Sequence, residues 1–93
     1  MRRIEPTHAF KRDYKRVRAP PRHRDVESLL PQVLGLLRTD APLPERNRDH
    51  PLAGEWKDPR DCHIKPDLVL IYRKPDNQVL QLVRLGSHSQ LGQ

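Results

Sequence analysis

Apolar residues recur along this chain in two periods, one helical and one of strands. Phe10, Tyr14 and Val17 fall on one stripe, which predicts an amphipathic helix from His8 to about Arg18. Thr7 fits its N-cap, and Ala19-Pro20-Pro21 ends it. Ahead of it, Arg2 to Glu5 reads as a short strand stopped by Pro6. Asp25 opens a second helix, with Val26, Leu29, Leu30, Val33, Leu34, Leu36 and Leu37 as its apolar face. Pro31 interrupts that face, so the pattern predicts either a kink or re-entry into a helix with Pro31 in its first turn. Thr39 to Pro51 reads as a loop. The period then changes to that of strands: Glu55–Lys57, Arg60–Lys65, Leu68–Arg73 and Val79–Leu85, with turns at Lys65-Pro66-Asp67 and Lys74–Gln78. Strands this close in sequence pair antiparallel. The expectation is an α+β domain: one N-terminal strand and two helices packed on a face of a small antiparallel sheet.

Composition narrows this plan. A chain of 93 residues is expected to be a single domain with a thin core, burying about 60–65% of its unfolded surface. Charge is unevenly placed. Nine Lys/Arg lie between Met1 and Arg24 against only Glu5 and Asp13, whereas the rest of the chain is nearly neutral. Such a cluster attracts a polyanion, usually nucleic acid, although an acidic protein can use the same surface. Cys62 is the only cysteine, so no internal disulfide forms and a reducing cytoplasm is expected. No apolar run suits a signal peptide or a membrane span.

Strand direction brings the candidate chemistry together. The last strand returns along the one before it, so His88 should land near Asp67, and His63 arrives at the same turn. Asp61 and His63 are two residues apart and share a face. His50 lies in the loop, where pattern does not place it. RNA cleavage by transesterification needs a base for the 2′-OH, an acid for the 5′-oxygen and positive charge on the phosphorane. Histidine serves either proton role near neutral pH. Arg60, Lys65, Arg73 and Arg84 are candidate phosphate contacts, and Lys11, Arg12, Lys15 and Arg16 a candidate grip on RNA. His8 and His23 read as surface residues. Zinc is the weaker alternative, because Cys62 should face away from His63. Trp56 reads as a core anchor. Leu70 and Tyr72 share a face, which is expected to pack on the helices or, if the alternation runs the other way, to lie on the opposite face of the sheet.

DHPLAGEW (residues 49–56), RDCHIKPDLVLIYR (60–73) and the closing LVRLGSHSQL resemble the YafQ branch of the RelE/ParE toxin superfamily. The resemblance is dense from Pro42 to Leu91 and looser across the helices. It implies a RelE-like fold and a ribosome-dependent endoribonuclease, an mRNA interferase of a type II toxin–antitoxin system that cuts mRNA in the ribosomal A site. It implies catalytic roles for His50, His63, Asp67 and His88, with His88 as general acid, and a supporting role for Asp61. No metal or cofactor is implied. The implied partners are a cognate antitoxin, the ribosome and mRNA, with operator DNA reached only through the antitoxin and no membrane. Family members often carry an aromatic residue just after the position of Leu91. Gly92 stands there in this chain, removing a base-stacking platform worth about 1–3 kcal/mol in known sites. A toxin homologue that holds RNA but cuts poorly is therefore one rival reading. A gyrase-poisoning toxin of the same fold is another, although it has no need of His63 and His88.

Overall fold

A computed structural model describes residues 1–51 and 59–92. The predicted strand at Glu55–Lys57 and the anchor Trp56 lie outside the described residues. The elements are β1 (Arg3–Pro6), α1 (His8–Arg18), α2 (Val26–Arg38), β2 (His50–Pro51), β3 (Arg60–Lys65), β4 (Leu68–Arg73) and β5 (Val79–Gly86). One-turn 3₁₀ segments at Pro21–His23 and Glu45–Asn47 lead into α2 and β2. The Thr39–Pro51 stretch is thus not all loop. Pro31 neither starts a helix nor ends one: it lies exposed inside a single α2. It forgoes one backbone hydrogen bond there, while the Val26, Leu30, Val33 and Leu37 stripe stays buried.

The sheet order is β1-β5-β4-β3-β2. β3, β4 and β5 form the expected antiparallel meander. The sheet as a whole is mixed, because β1 runs parallel to β5 with Arg3 beside Val79 and Pro6 beside Leu82. Pro6 therefore closes β1 from within, at an edge that tolerates its missing donor. Both helices pack on one face. Phe10 and Val17 from α1 and the α2 stripe meet Cys62, Ile64, Leu68, Leu70, Tyr72, Leu80, Leu82 and Leu85 in one core.

Two irregularities decide where the sheet's polar residues point. On β3 the register shifts between His63 and Lys65, which pair with Val69 and Leu68. The extra residue turns Lys65 to the helix side. On β5 a second shift sets Ile71 opposite Arg84 and Tyr72 opposite Leu82. Leu82 and Leu85 consequently both reach the core although they lie three residues apart.

Beyond Pro6, α1 takes over from β1 along the edge of β5. Thr7 caps α1 by accepting the Phe10 N–H at 3.0 Å, and its hydroxyl donates to the Val83 carbonyl at 2.8 Å. One turn on, Asp13 is 2% exposed and accepts the Leu85 N–H at 3.0 Å. It also pairs with Arg84 at 2.6 Å and Arg16 at 2.9 Å. Burial works against the Asp13 charge, but these partners outweigh it and lower its pKa.

Candidate active site

His63 and His88 meet as the strand directions require. Gly86 pairs with Val69, and Val69 with His63, so one row across the sheet leads from β5 to His63. His88 lies two residues past Gly86, and its ring centre is 5.0 Å from that of His63, tilted by 50°. His63 is half-buried and His88 exposed.

A compact turn carries His88. The Ser87 hydroxyl accepts the Gln90 N–H at 3.2 Å, and the Gln90 side-chain oxygen accepts the Ser87 N–H at 2.9 Å. This reciprocal pair is the capping box of a helix start, with His88 inside it. At Gly86 a Cβ would stand 2.9 Å from the Gln90 side-chain oxygen, so glycine leaves that side chain free to reach the Ser87 N–H. The Ser-x-x-Gln spacing at residues 87–90 is the sequence signal for this turn.

His50 sits on β2, opposite Asp61 on β3. Its Nε2 is 2.8 Å from Asp61 Oδ1, near enough for an ion pair. The contact is out of line for a hydrogen bond, and that buried oxygen has no aligned donor among the described residues. Nδ1 lies 2.6 Å from the Arg48 carbonyl. The Nδ1 contact orients the ring and leaves Nε2 beside Asp61. The preceding residue is anchored too: Asp49 accepts from the Tyr72 hydroxyl at 2.5 Å and from Arg60 Nε at 3.2 Å. Burial and the Asp49 bond both push the Tyr72 hydroxyl's pKa upward. Sequence reasoning missed Asp49 because its partners lie 11 and 23 residues away.

Asp67 occupies the β3–β4 turn, and its described ion contact is with His23, Nε2 to Oδ2 at 3.8 Å. His23 is therefore no surface residue. It is 5% exposed, and its Nδ1 has no partner among the described residues. The 3₁₀ turn before α2 folds it inward, a placement that the basic residues around it concealed. His8 is exposed, as expected.

The candidate phosphate contacts are tied into the fold. Arg60 bonds Asp49, Arg73 bonds Gln81 at 3.3 Å and Arg84 bonds Asp13. Lys65 bonds the Arg22 carbonyl at 2.7 Å and Asp25 at 3.1 Å, on the helix side to which the β3 bulge turns it. On α1, Lys11, Arg12 and Lys15 are exposed, while Arg16 pairs with Asp13. Cys62 lies in the core, and burial first, then the charges of Asp49 and Asp61, push its thiol to about 12. It is therefore a protonated thiol at neutral pH and a poor metal ligand. Among the described residues no three His, Cys, Asp or Glu side chains converge as a metal site, and no helix is long and apolar enough to cross a membrane.

Known proteins resemble this chain along nearly its whole length. Residues 2–93 match the family described as the bacterial toxin of a type II toxin–antitoxin system, YafQ. The mRNA interferase toxin YafQ of Escherichia coli K12 is 39% identical over 90 residues, covering 97% of this chain and 95% of the relative. The E. coli DinJ–YafQ complex contains a chain that is 38% identical, with a TM-score of 0.83 and 98% of each chain covered. A metal-bound toxin from Helicobacter pylori is 45% identical with a TM-score of 0.84, covering 98% of this chain and 99% of that one.

Proposed function

The chain belongs to the YafQ family of type II toxin–antitoxin toxins, and from that premise we propose how its residues divide the work of cutting RNA. It is an endoribonuclease, an mRNA interferase that inhibits translation, and a cognate antitoxin is its partner. The whole chain acts as one toxin domain in the cytoplasm, on mRNA in the ribosomal A site.

The observation that carries the mechanism is the pair of imidazoles 5.0 Å apart at one end of the sheet. Two rings at that separation reach one phosphodiester from different sides. His88, exposed on its capped turn, protonates the 5′-oxygen as it leaves. Asp67 takes the 2′-OH proton or orients the base that does, and His63 binds or stabilises the phosphate and shares the base role. His50, oriented through Nδ1 by the Arg48 carbonyl, binds or stabilises the phosphate with Nε2, whose contact with Asp61 is out of line for a hydrogen bond. Asp61 supports His50. The exposed cations of α1 hold ribosomal RNA by its backbone. These proton transfers call for no metal.

Cleavage of mRNA on translating ribosomes by His88→Ala tests the assignment. The expected loss is about 10²-fold or more, with the melting temperature unchanged. Near-normal cleavage by this variant would remove His88 from the acid role. A wild-type protein that binds ribosomes without cutting would favour the weak-homologue reading, which Gly92 motivates.

A further inference from the structure

The cations expected to hold the scissile strand are bound to other parts of the protein, yet cleavage requires positive charge at the phosphate. Arg46 and Arg48 fill that gap. With His63 and Pro66 they line an open cleft of about 360 Å³. Both are exposed, and neither side chain has an ion-pair or hydrogen-bond partner among the described residues.

Their placement is built into the fold. Asn47, between them, is 6% exposed and donates from Nδ2 to the His63 carbonyl at 2.7 Å. That bond fastens the 3₁₀ turn Glu45–Asn47 to β3 at His63, which lines the cleft. Arg48 then takes a left-handed conformation, φ 45° and ψ 49°, uncommon for a residue that is not glycine. The same turn directs its carbonyl to His50 Nδ1 at 2.6 Å. One loop thus orients His50 with a backbone oxygen and places two arginines along the cleft that His63 lines.

We propose that Arg46 and Arg48 form a phosphate subsite that holds the mRNA strand beside His63. This rests on the His63–His88 reading above. A guanidinium fork suits phosphate oxygens, and His63 in the same cleft places those oxygens at the reacting end of the sheet. An acidic antitoxin segment is the competing occupant.

The test uses the full chain with Arg46→Gln and Arg48→Asn together, asparagine being tolerated in the left-handed region. The probe is a tetranucleotide RNA carrying a 2′-deoxy sugar at its central step, followed through the histidine-ring NMR signals of His63 and His88. The wild type should show both rings shifting. The double variant should bind about tenfold or more weaker for each arginine lost, and its log–log salt slope should fall by roughly 1.4. Arg48→Lys in the Arg46→Gln background should recover part of the slope. An unchanged slope in a variant that melts like the wild type overturns the subsite and leaves the histidine assignment to the His88→Ala result. Failure of the wild-type rings to respond overturns it as well. Weakened antitoxin binding with unaltered RNA binding overturns it in favour of the antitoxin.

Discussion

One strand, β3, serves two purposes on its two faces. Cys62 and Ile64 point to the helices and join the core. Asp61 and His63, one residue away in each case, point to the other face and toward His50 and His88. β4 repeats the division: Leu68, Leu70 and Tyr72 pack on the helices, and Val69 and Ile71 lie outside that core on the His63 side. The alternation separates stability from chemistry, so a residue on one face can change without disturbing the other. The separation has a bridge at Asp49, which ties the core residue Tyr72 to the strand that carries His50.

The sharpest test of this division compares His88→Ala with Leu70→Ala. The first should cost about 10²-fold or more in cleavage and almost nothing in stability. The second removes a fully buried side chain and should cost about 2–5 kcal/mol of folding stability. At a temperature where the Leu70 variant stays folded, its cleavage rate should remain close to wild type. Chemical denaturation and single-turnover cleavage measure the two effects. A Leu70 variant that folds well but cuts as poorly as the His88 variant would mean that the two faces are not separable.

The strands were legible because their pattern is local. Arg60–Lys65 and Leu68–Arg73 appear at their predicted bounds, and the capped helix His8–Arg18 does too. The meeting of His63 and His88 followed from strand direction alone. What escaped the sequence was set by long-range contact. The parallel pairing of β1 with β5 joins the two ends of the chain, and no local period announces it. Lys65 reads as a phosphate contact, and the bulge after His63 turns it instead toward Arg22 and Asp25 on the helix side. His23 looked like part of a solvated basic surface until the turn at Pro21 folded it inward. Arg46 and Arg48 carry no periodic signal, because their place depends on Asn47 reaching β3.

A second comparison concerns the edge of β5, where α1 replaces β1. Asp13→Ala leaves the buried Leu85 N–H without its acceptor and should cost about 1–3 kcal/mol. The strand end that leads to Gly86 and His88 should loosen with it. Hydrogen exchange at the Leu85 amide reads the effect directly. Unchanged protection there would show that the helix holds this edge by apolar packing alone.

The capped turn divides position from chemistry more finely. Gln90→Leu keeps the size of the side chain and removes the acceptor of the Ser87 N–H. Its cost in stability should be about 1 kcal/mol or less, because the turn is exposed. Cleavage should fall about tenfold in kcat with KM little changed, since His88 keeps its chemistry but not its position. Gln90→Glu, which preserves a capping box, should restore most of the rate. If Gln90→Leu raises KM alone, the turn binds substrate and does not orient the acid.

The smallest effect belongs to an exposed network far from the histidines. Asp40 accepts from Lys74 at 2.7 Å and Arg2 at 2.8 Å, and these bonds hold its carboxyl down to about 2. A carboxyl whose pKa is lower in the folded state binds fewer protons there than in the unfolded chain. Its contribution is therefore complete above the unfolded value of about 3.9 and declines as pH falls toward the folded one. Asp13 acts in the same direction. The wild type should accordingly lose melting temperature steadily below about pH 4, and Asp40→Asn should lose slightly less over the same interval. Because Asp40 is solvated and its bonds are screened, salt should shrink the difference. Parallel melts at neutral and acid pH, with and without added salt, measure it. Identical acid sensitivity in the two proteins would assign the loss to buried Asp13, returning the pH dependence to the edge of β5.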